Sequence, residues 1–287
     1  MTLAFVFPGQ GARNVLEAVE WVARSPQGRA LVDRACTSTG CRLEDIRRHA
    51  GRLLESTRVL QPVLTAVCLT TLAQLQAHGV RPDAAVGHSL GELAALSCAG
   101  RLRPEEAIEL AAVRGAVMEA AAAERPGGLV AVASLSIARE AMAAIEGLEL
   151  ALINAPDEVV IAGSNGALAE VLSRFPGRRV AVSGPWHSTA MQSAVEPLRR
   201  ALPKEAPAVI ALPGGPGSVS ELPARLVSTV DFVTTLQAVR ADAWLIVGPG
   251  HVLRGLLRRT LGASARILTT ENEADLHRTL EQLRSVA

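Results

Sequence analysis

Short apolar runs alternate along this chain with longer stretches of helical periodicity. Leu3 to Phe7 is continuously apolar and stops at Pro8-Gly9, the pattern of a buried strand that ends in a tight loop. From residue 13 to residue 80 apolar positions recur at helical spacing, as at Val63, Val67 and Leu69, then Leu72 and Leu75. Asp83 to Gly87 reads as a second short strand, and Leu90 to Gly100 as a helix. Pro104 stands where a first-turn proline belongs, and Glu105 and Glu106 favour a helix N-terminus, so a helix is predicted from there to about Ala123. Strands that alternate with helices predict a mainly parallel sheet covered on both faces.

The rhythm changes near Gly127. Leu129 to Ser134 is strand-like and Ile137 to Glu146 helix-like. Glu149 to Asn154 and Glu158 to Ala162 read as two strands joined at Pro156-Asp157; Asn165 to Phe175 follows as a helix and Arg179 to Ser183 as a strand. The order βαββαβ is that of a ferredoxin-like unit, here a small subdomain over residues 127–186 inserted in a large one made of 1–126 and 187–287. After His187 the chain returns to helix and crosses a loose Gly-, Pro- and Ser-rich stretch, Pro213 to Pro223. It closes with strand Trp244 to Val247, the turn Gly248-Pro-Gly250, a basic helix, strand Arg266 to Leu268 and a last helix. No internal repeat is visible.

Composition narrows the picture. At 287 residues and 49% hydrophobic the chain has ample material for a large core, built from Ala, Leu and Val because aromatics are 2% and Tyr is absent. A net charge of +1 gives no field that would draw the whole protein to nucleic acid or membrane. No signal segment opens the chain, and no uninterrupted apolar run reaches the length of a membrane helix. Cys36, Cys41, Cys68 and Cys98 show no C-x-x-C spacing, so free buried thiols in a reducing cytoplasm are expected, with no metal.

The candidate chemistry centres on Gly87-His88-Ser89-Leu90-Gly91, a G-x-S-x-G segment between a predicted strand and a predicted helix. On so sharp a turn only Gly avoids a clash at the two flanking positions. The helix N-terminus points backbone N–H groups at the serine, where an oxyanion can be held. A structural turn is the competing reading. A serine also needs a base. His49, His78 and His277 fall in polar helical stretches, His88 packs behind the elbow, and His251 follows a turn. His187 stands where the small subdomain rejoins the large one, at a junction that borders a cleft; position alone leaves a base and a plain hydrogen-bonded histidine both open. Arg114 lies mid-helix among Ala and Val, where an unpaired guanidinium is costly. A substrate carboxylate gripped by its planar fork satisfies it, and so does an ion pair with Glu92 or Glu109.

Taken together, Phe7-Pro-Gly-Gln-Gly-Ala12, Gly87-His-Ser-Leu-Gly-Glu92 and Arg114-Gly115 with Met118 resemble the malonyl-CoA:acyl carrier protein transacylases and the acyltransferase domains of polyketide synthases. Gln61-Pro62, Asn154 to Gly163, Pro185-Trp-His-Ser188 with Met191, and Val247 to Gly250 with Val252, Leu253 and Leu256 extend the likeness in the family's order over almost the whole chain. The resemblance implies an α/β fold, with an α/β-hydrolase-like parallel-sheet large subdomain and an inserted ferredoxin-like small subdomain. It implies Ser89 as nucleophile, His187 as base held by a backbone carbonyl near Arg225, and the amides of Gln10 and Leu90 as oxyanion hole. Arg114 would take the acyl carboxylate, with Gln61, Asn154, His88, Trp186 and Met118 around the substrate. Malonyl-CoA would be substrate, a phosphopantetheinylated acyl carrier protein the acceptor, with no cofactor and a monomer expected. The basic face of the helix after Gly250, with Arg254, Arg258 and Arg259, suits an acidic carrier protein and equally an ordinary solvated face.

The chain departs from the family where Arg13 leads early into helix and where Trp186 replaces the usual Ser or Phe. A third departure is the shortened stretch from His187 to Arg225, with its Pro213-Gly-Gly-Pro-Gly217. The rival readings are a serine thioesterase or esterase, the malonyltransferase subunit of a malonate decarboxylase complex, and a docking subunit without activity. Arg114 speaks against the first, His88 and Glu92 against the second, and the intact Ser89, His187 and Arg114 against the third.

Overall fold

Two sheets organise the chain in the computed structural model, which describes residues 1–204, 206–210, 212 and 217–285. The strands in chain order are β1 (Leu3–Phe7), β2 (Ala84–Gly87), β3 (Gly127–Val132), β4 (Glu149–Ala155), β5 (Glu158–Ser164), β6 (Gly177–Arg179), β7 (Val230–Asp231), β8 (Ala243–Val247) and β9 (Ile267–Thr270). The large sheet has the order β2-β1-β8-β9 and all its pairings are parallel. Every residue of β1 is buried, which is why its run is unbroken by polar residues. Leu3, Phe5 and Phe7 enter one core and Ala4 and Val6 another, so the sheet separates two apolar layers.

The helical stretch predicted over 13–80 divides into four helices: Val15–Val22, Pro26–Thr39, Leu43–Leu53 and Thr57–Ala77. Ser25 caps the second by accepting from the Gly28 N–H, and Gly40 ends it with φ 74°. Thr57–Ala77 is long and apolar enough to cross a membrane, yet 83% of its apolar window is buried inside this protein. It packs on Pro104–Glu124, and Gly115 makes the crossing close: a Cβ there would lie 2.6 Å from the Thr57 carbonyl oxygen. That approach brings Arg114 beside Gln61.

The smaller sheet has the order β6-β3-β5-β4-β7. Its first four strands, with helices Leu135–Ala144 and Asn165–Arg174, form the antiparallel ferredoxin-like unit, and Val130, Val132, Val159, Ile161, Leu168 and Val171 give it a core of its own. Two features differ from the sequence expectation. The last strand of the unit is Gly177–Arg179, earlier than the predicted Arg179 to Ser183, because pairing with β3 runs out at Leu129, whose carbonyl takes the Val180 N–H. Val180 and Val182, which suggested the later strand, instead pack against the main core and line a cleft. The second feature is β7, which pairs parallel to β4 through Leu152↔Val230 and Ile153↔Asp231 and ties the chain beyond His187 into the small sheet.

Of the stretch predicted to be loose, Leu222–Arg225 is a helical turn, and Pro213 to Pro216 lies outside the described residues. The close helix crossing sets a test. Gly115→Val overpacks it and is expected to lower unfolding stability by about 1–3 kcal/mol in a denaturant titration, with Arg114 displaced from Gln61.

Candidate active site

β2 runs into a turn that only its glycines permit. A Cβ on Gly87 would lie 2.2 Å from the Glu92 nitrogen, and one on Gly91 would lie 2.1 Å from the Phe7 carbonyl oxygen. Between them Ser89 takes φ 54°, the left-handed region that a serine occupies only when its surroundings impose it. Helix Gly91–Cys98 starts directly behind it. The hydroxyl of Ser89 therefore stands clear of both strand and helix.

His187 meets it from the other side of the cleft. Its Nε2 lies 2.7 Å from Ser89 Oγ, and its Nδ1–H donates to the backbone carbonyl of Arg225 at 2.9 Å. The carbonyl can only accept, so Nδ1 carries the proton and Nε2 accepts from the serine. His187 is buried, and its pKa is pushed down to about 3, first by that burial and then by the charge of Arg114. The imidazole is thus neutral and ready to accept a proton.

Arg114 approaches from below. Nη1 donates to Gln61 Oε1 at 2.8 Å and Nη2 to Ser89 Oγ at 3.2 Å. Gln61 is held in turn by Thr57 Oγ1 at 2.7 Å and touches Met118 Sδ at 3.4 Å; the Gln10 side chain donates to the same Thr57 hydroxyl. Neither carboxylate named from sequence takes Arg114: Glu109 pairs with Arg34 and Glu92 with Arg225. Among the described residues Arg114 has no ion-pair partner. Burial lowers its pKa to about 10, so it remains a cation at neutral pH.

The cleft above Ser89 has a volume of about 390 Å³, and Gln10, His88, Asn154, Trp186 and His187 line it. Arg114, Gln61 and Met118 lie behind the serine and are not on its walls. The Gln10 and Leu90 N–H groups donate to no acceptor among the described residues. His88 Nε2 lies 2.8 Å from Asn154 Oδ1, and its ring packs edge-on against Phe232. Asn154 sits at a register shift between β4 and β5, where a bulge turns its side chain out towards the elbow. Trp186 is buried and also borders a neighbouring cavity of about 680 Å³.

His49, His78, His251 and His277 are exposed, and none of them lines the cleft at Ser89. On the basic helix His251–Leu261, Arg259 is ion-paired with Asp157 and Glu158, whereas Arg258, which donates to the neutral Ala263 carbonyl, and Arg254 are exposed and keep their charge. Sequence reading missed Thr57, the shared anchor of Gln61 and Gln10, and the pairing of Glu92 with Arg225.

Comparison with known proteins adds to this geometry. Residues 4–214 match the sequence profile of the acyl transferase domain. The chain is 30% identical to the malonyl CoA-acyl carrier protein transacylase of Bacillus subtilis, over 90% of each. It is 32% identical to the phenolphthiocerol synthesis polyketide synthase type I Pks15/1 of Mycobacterium marinum, with 93% of this chain matching 14% of that much longer protein. It also matches a malonyl-transacylase solved in complex with its type II polyketide synthase acyl carrier protein, with a TM-score of 0.86 and 25% identity over 98% of this chain and all of that one.

The depressed His187 pKa has a kinetic consequence. With a pKa pushed down to about 3 the His187 imidazole stays neutral between pH 5 and 8, so acylation of Ser89 by p-nitrophenyl acetate is expected to stay level as pH falls from 8 to 5. An ordinary imidazole would give a decline centred near pH 6.5; stopped-flow acylation rates across that range distinguish the two.

Proposed function

Because this chain belongs to the acyl transferase domain family, we propose that it transfers a malonyl group from coenzyme A to the phosphopantetheine thiol of an acyl carrier protein. The reaction runs through an ester on Ser89 and serves fatty acid or polyketide synthesis. The observation that carries the substrate choice is Arg114, a buried cation with no ion-pair partner among the described residues and 3.2 Å from Ser89 Oγ. A terminal carboxylate on the acyl group is the anion it lacks.

In the first half-reaction His187 Nε2 takes the Ser89 proton while Oγ attacks the thioester carbonyl. The Gln10 and Leu90 N–H groups hold the oxyanion, and the imidazolium keeps its Nδ1–H on the Arg225 carbonyl. Collapse expels the coenzyme A sulfur, which leaves with the proton from Nε2. The carrier thiol then enters, gives its proton to His187 and attacks the serine ester, and Ser89 recovers the proton. One thioester is exchanged for another, so the reaction is nearly thermoneutral and reversible. His88, Asn154 and Trp186 wall the acyl chamber, and Gln61 and Met118 keep the Arg114 fork in place.

Ser89, His187, Arg114 and the orienting carbonyl all come from one chain, so a monomer suffices. Four free cysteines suit a reducing compartment such as the cytoplasm.

Intact-protein mass spectrometry after incubation with malonyl-CoA tests the assignment: Ser89→Ala is expected to lose the adduct entirely and His187→Ala to slow its formation by about a thousandfold or more. An adduct that survives on the alanine variant would refute the nucleophile. Competition between malonyl-CoA and acetyl-CoA tests the anchor. Arg114→Ala is expected to lose about ten- to a hundredfold in malonyl preference, as a charge-assisted pair worth about 1.5–3 kcal/mol implies. A wild type that prefers acetyl-CoA contradicts the carboxylate role.

A further inference from the structure

Glu92 lies in the first turn of the helix that follows the nucleophile and has 3% of its surface exposed. The helix N-terminus favours a carboxylate there, but burial raises its pKa, so the charged form needs a cation. Arg225 provides it. Its Nε donates to Glu92 Oε1 at 2.7 Å and its Nη2 pairs with the same oxygen. The backbone carbonyl of this same Arg225 accepts the Nδ1–H of His187 at 2.9 Å. One residue is thus tied by its side chain to the helix of the nucleophile, and by its backbone to the base. The helical turn that carries it, Leu222–Arg225, is a single turn and too short to be stable without outside contacts.

We propose that Glu92 and Arg225 are positioning residues that form a clamp: their ion pair fixes the Arg225 carbonyl relative to the helix behind Ser89, and so holds the imidazole of His187 in line with the serine. Neither side chain touches the reacting atoms. The pair also satisfies the Glu92 carboxylate, in whose field Arg114 lies, which leaves the Arg114 charge for the substrate. The inference rests on the reading of Ser89 as nucleophile and His187 as base.

The test compares wild type with Glu92→Gln, Arg225→Met, Arg225→Lys and the double variant Glu92→Gln/Arg225→Met. Single-turnover acylation by malonyl-CoA is combined with NMR of 15N-histidine-labelled enzyme. Each neutralising single variant is expected to acylate about a hundredfold more slowly, the loss that a misplacement of about 1 Å produces, with KM for malonyl-CoA unchanged. Arg225→Lys, which keeps a charge within reach of Glu92, is expected to recover much of the rate. The double variant is expected to be no slower than the slower single one, because both remove one interaction. The wild-type spectrum is expected to show His187 fixed as the Nδ1–H tautomer, and the neutralising variants a mixture of tautomers.

Losses that multiply in the double variant would mean that the two residues act separately, and would overturn the clamp. So would folded single variants with the wild-type rate and an unchanged His187 spectrum. Should a single variant fail to fold, the double variant, which leaves no lone buried charge, carries the comparison: a wild-type rate there overturns the clamp. A wild type that forms no adduct on Ser89 would instead refute the acyl-transfer reading itself.

Discussion

The close approach of Gly91 to the carbonyl of Phe7 determines where Ser89 can stand. β1 and β2 are paired as far as Phe7 and Gly87, and the His88 N–H extends that pairing to the Phe7 oxygen. The chain must then reverse into a helix within three residues, across a sheet edge with no room for a Cβ at either flank. Ser89 absorbs the reversal in a left-handed conformation, and the strain is held because buried strands on one side and a buried helix on the other fix both ends. The same contact delivers the helix N-terminus to the serine. Backbone conformation, hydroxyl exposure and free N–H groups therefore arise from one steric fact.

The electrostatics follow from what stands around that hydroxyl. In many serine enzymes a carboxylate orients the histidine. Here a neutral carbonyl does so, and Arg114 explains why that choice is consistent. Its guanidinium reaches Ser89 Oγ, so a carboxylate beside His187 would compete for it at short range, where both residues are buried and screening is weak. A carbonyl fixes the tautomer without adding an anion. The buried carboxylate of Glu92 is occupied by Arg225. Burial first, and then the surplus of two arginines over one carboxylate behind the cleft, depress the His187 pKa. The same surplus would suit an anionic acyl group.

Much of this was legible in the sequence wherever one local rule decided the outcome. The unbroken apolar run at Leu3 to Phe7 could only be a strand buried on both faces, and the glycines around Ser89 carried the turn. Pro104 marked the start of its helix, but the caps at Ser25 and Gly40 went unread, and the periodicity alone merged four helices into one. What escaped was non-local. Val180 and Val182 looked like strand residues because alternating apolar positions do not reveal whether they face a sheet or a cleft. The two residues of β7 have too little length to signal a strand and exist only because β4 offers an edge. Arg114 had two candidate carboxylates in sequence, and only the fold shows that Glu92 and Glu109 are engaged elsewhere. Asn154 was visible as part of a motif, but the bulge that aims it at His88 depends on the register between two strands.

The small subdomain is more than a cover for the cleft, because it reaches the residues around Ser89 along three routes. Asn154 on β4 bonds to His88, the neighbour of the nucleophile. β4 pairs with β7, five residues beyond the carbonyl that orients the base. His187 itself follows the last strand of the unit, with Trp186 packed beside it and Gly184 leaving room for the indole. A shift of this sheet would therefore act on the elbow, the carbonyl and the imidazole together. Cleft width and base alignment are not independent in such an arrangement. An acyl group that forced the walls apart would also strain the hydrogen bonds that align His187, so its size would bear on the rate of acylation as well as on binding.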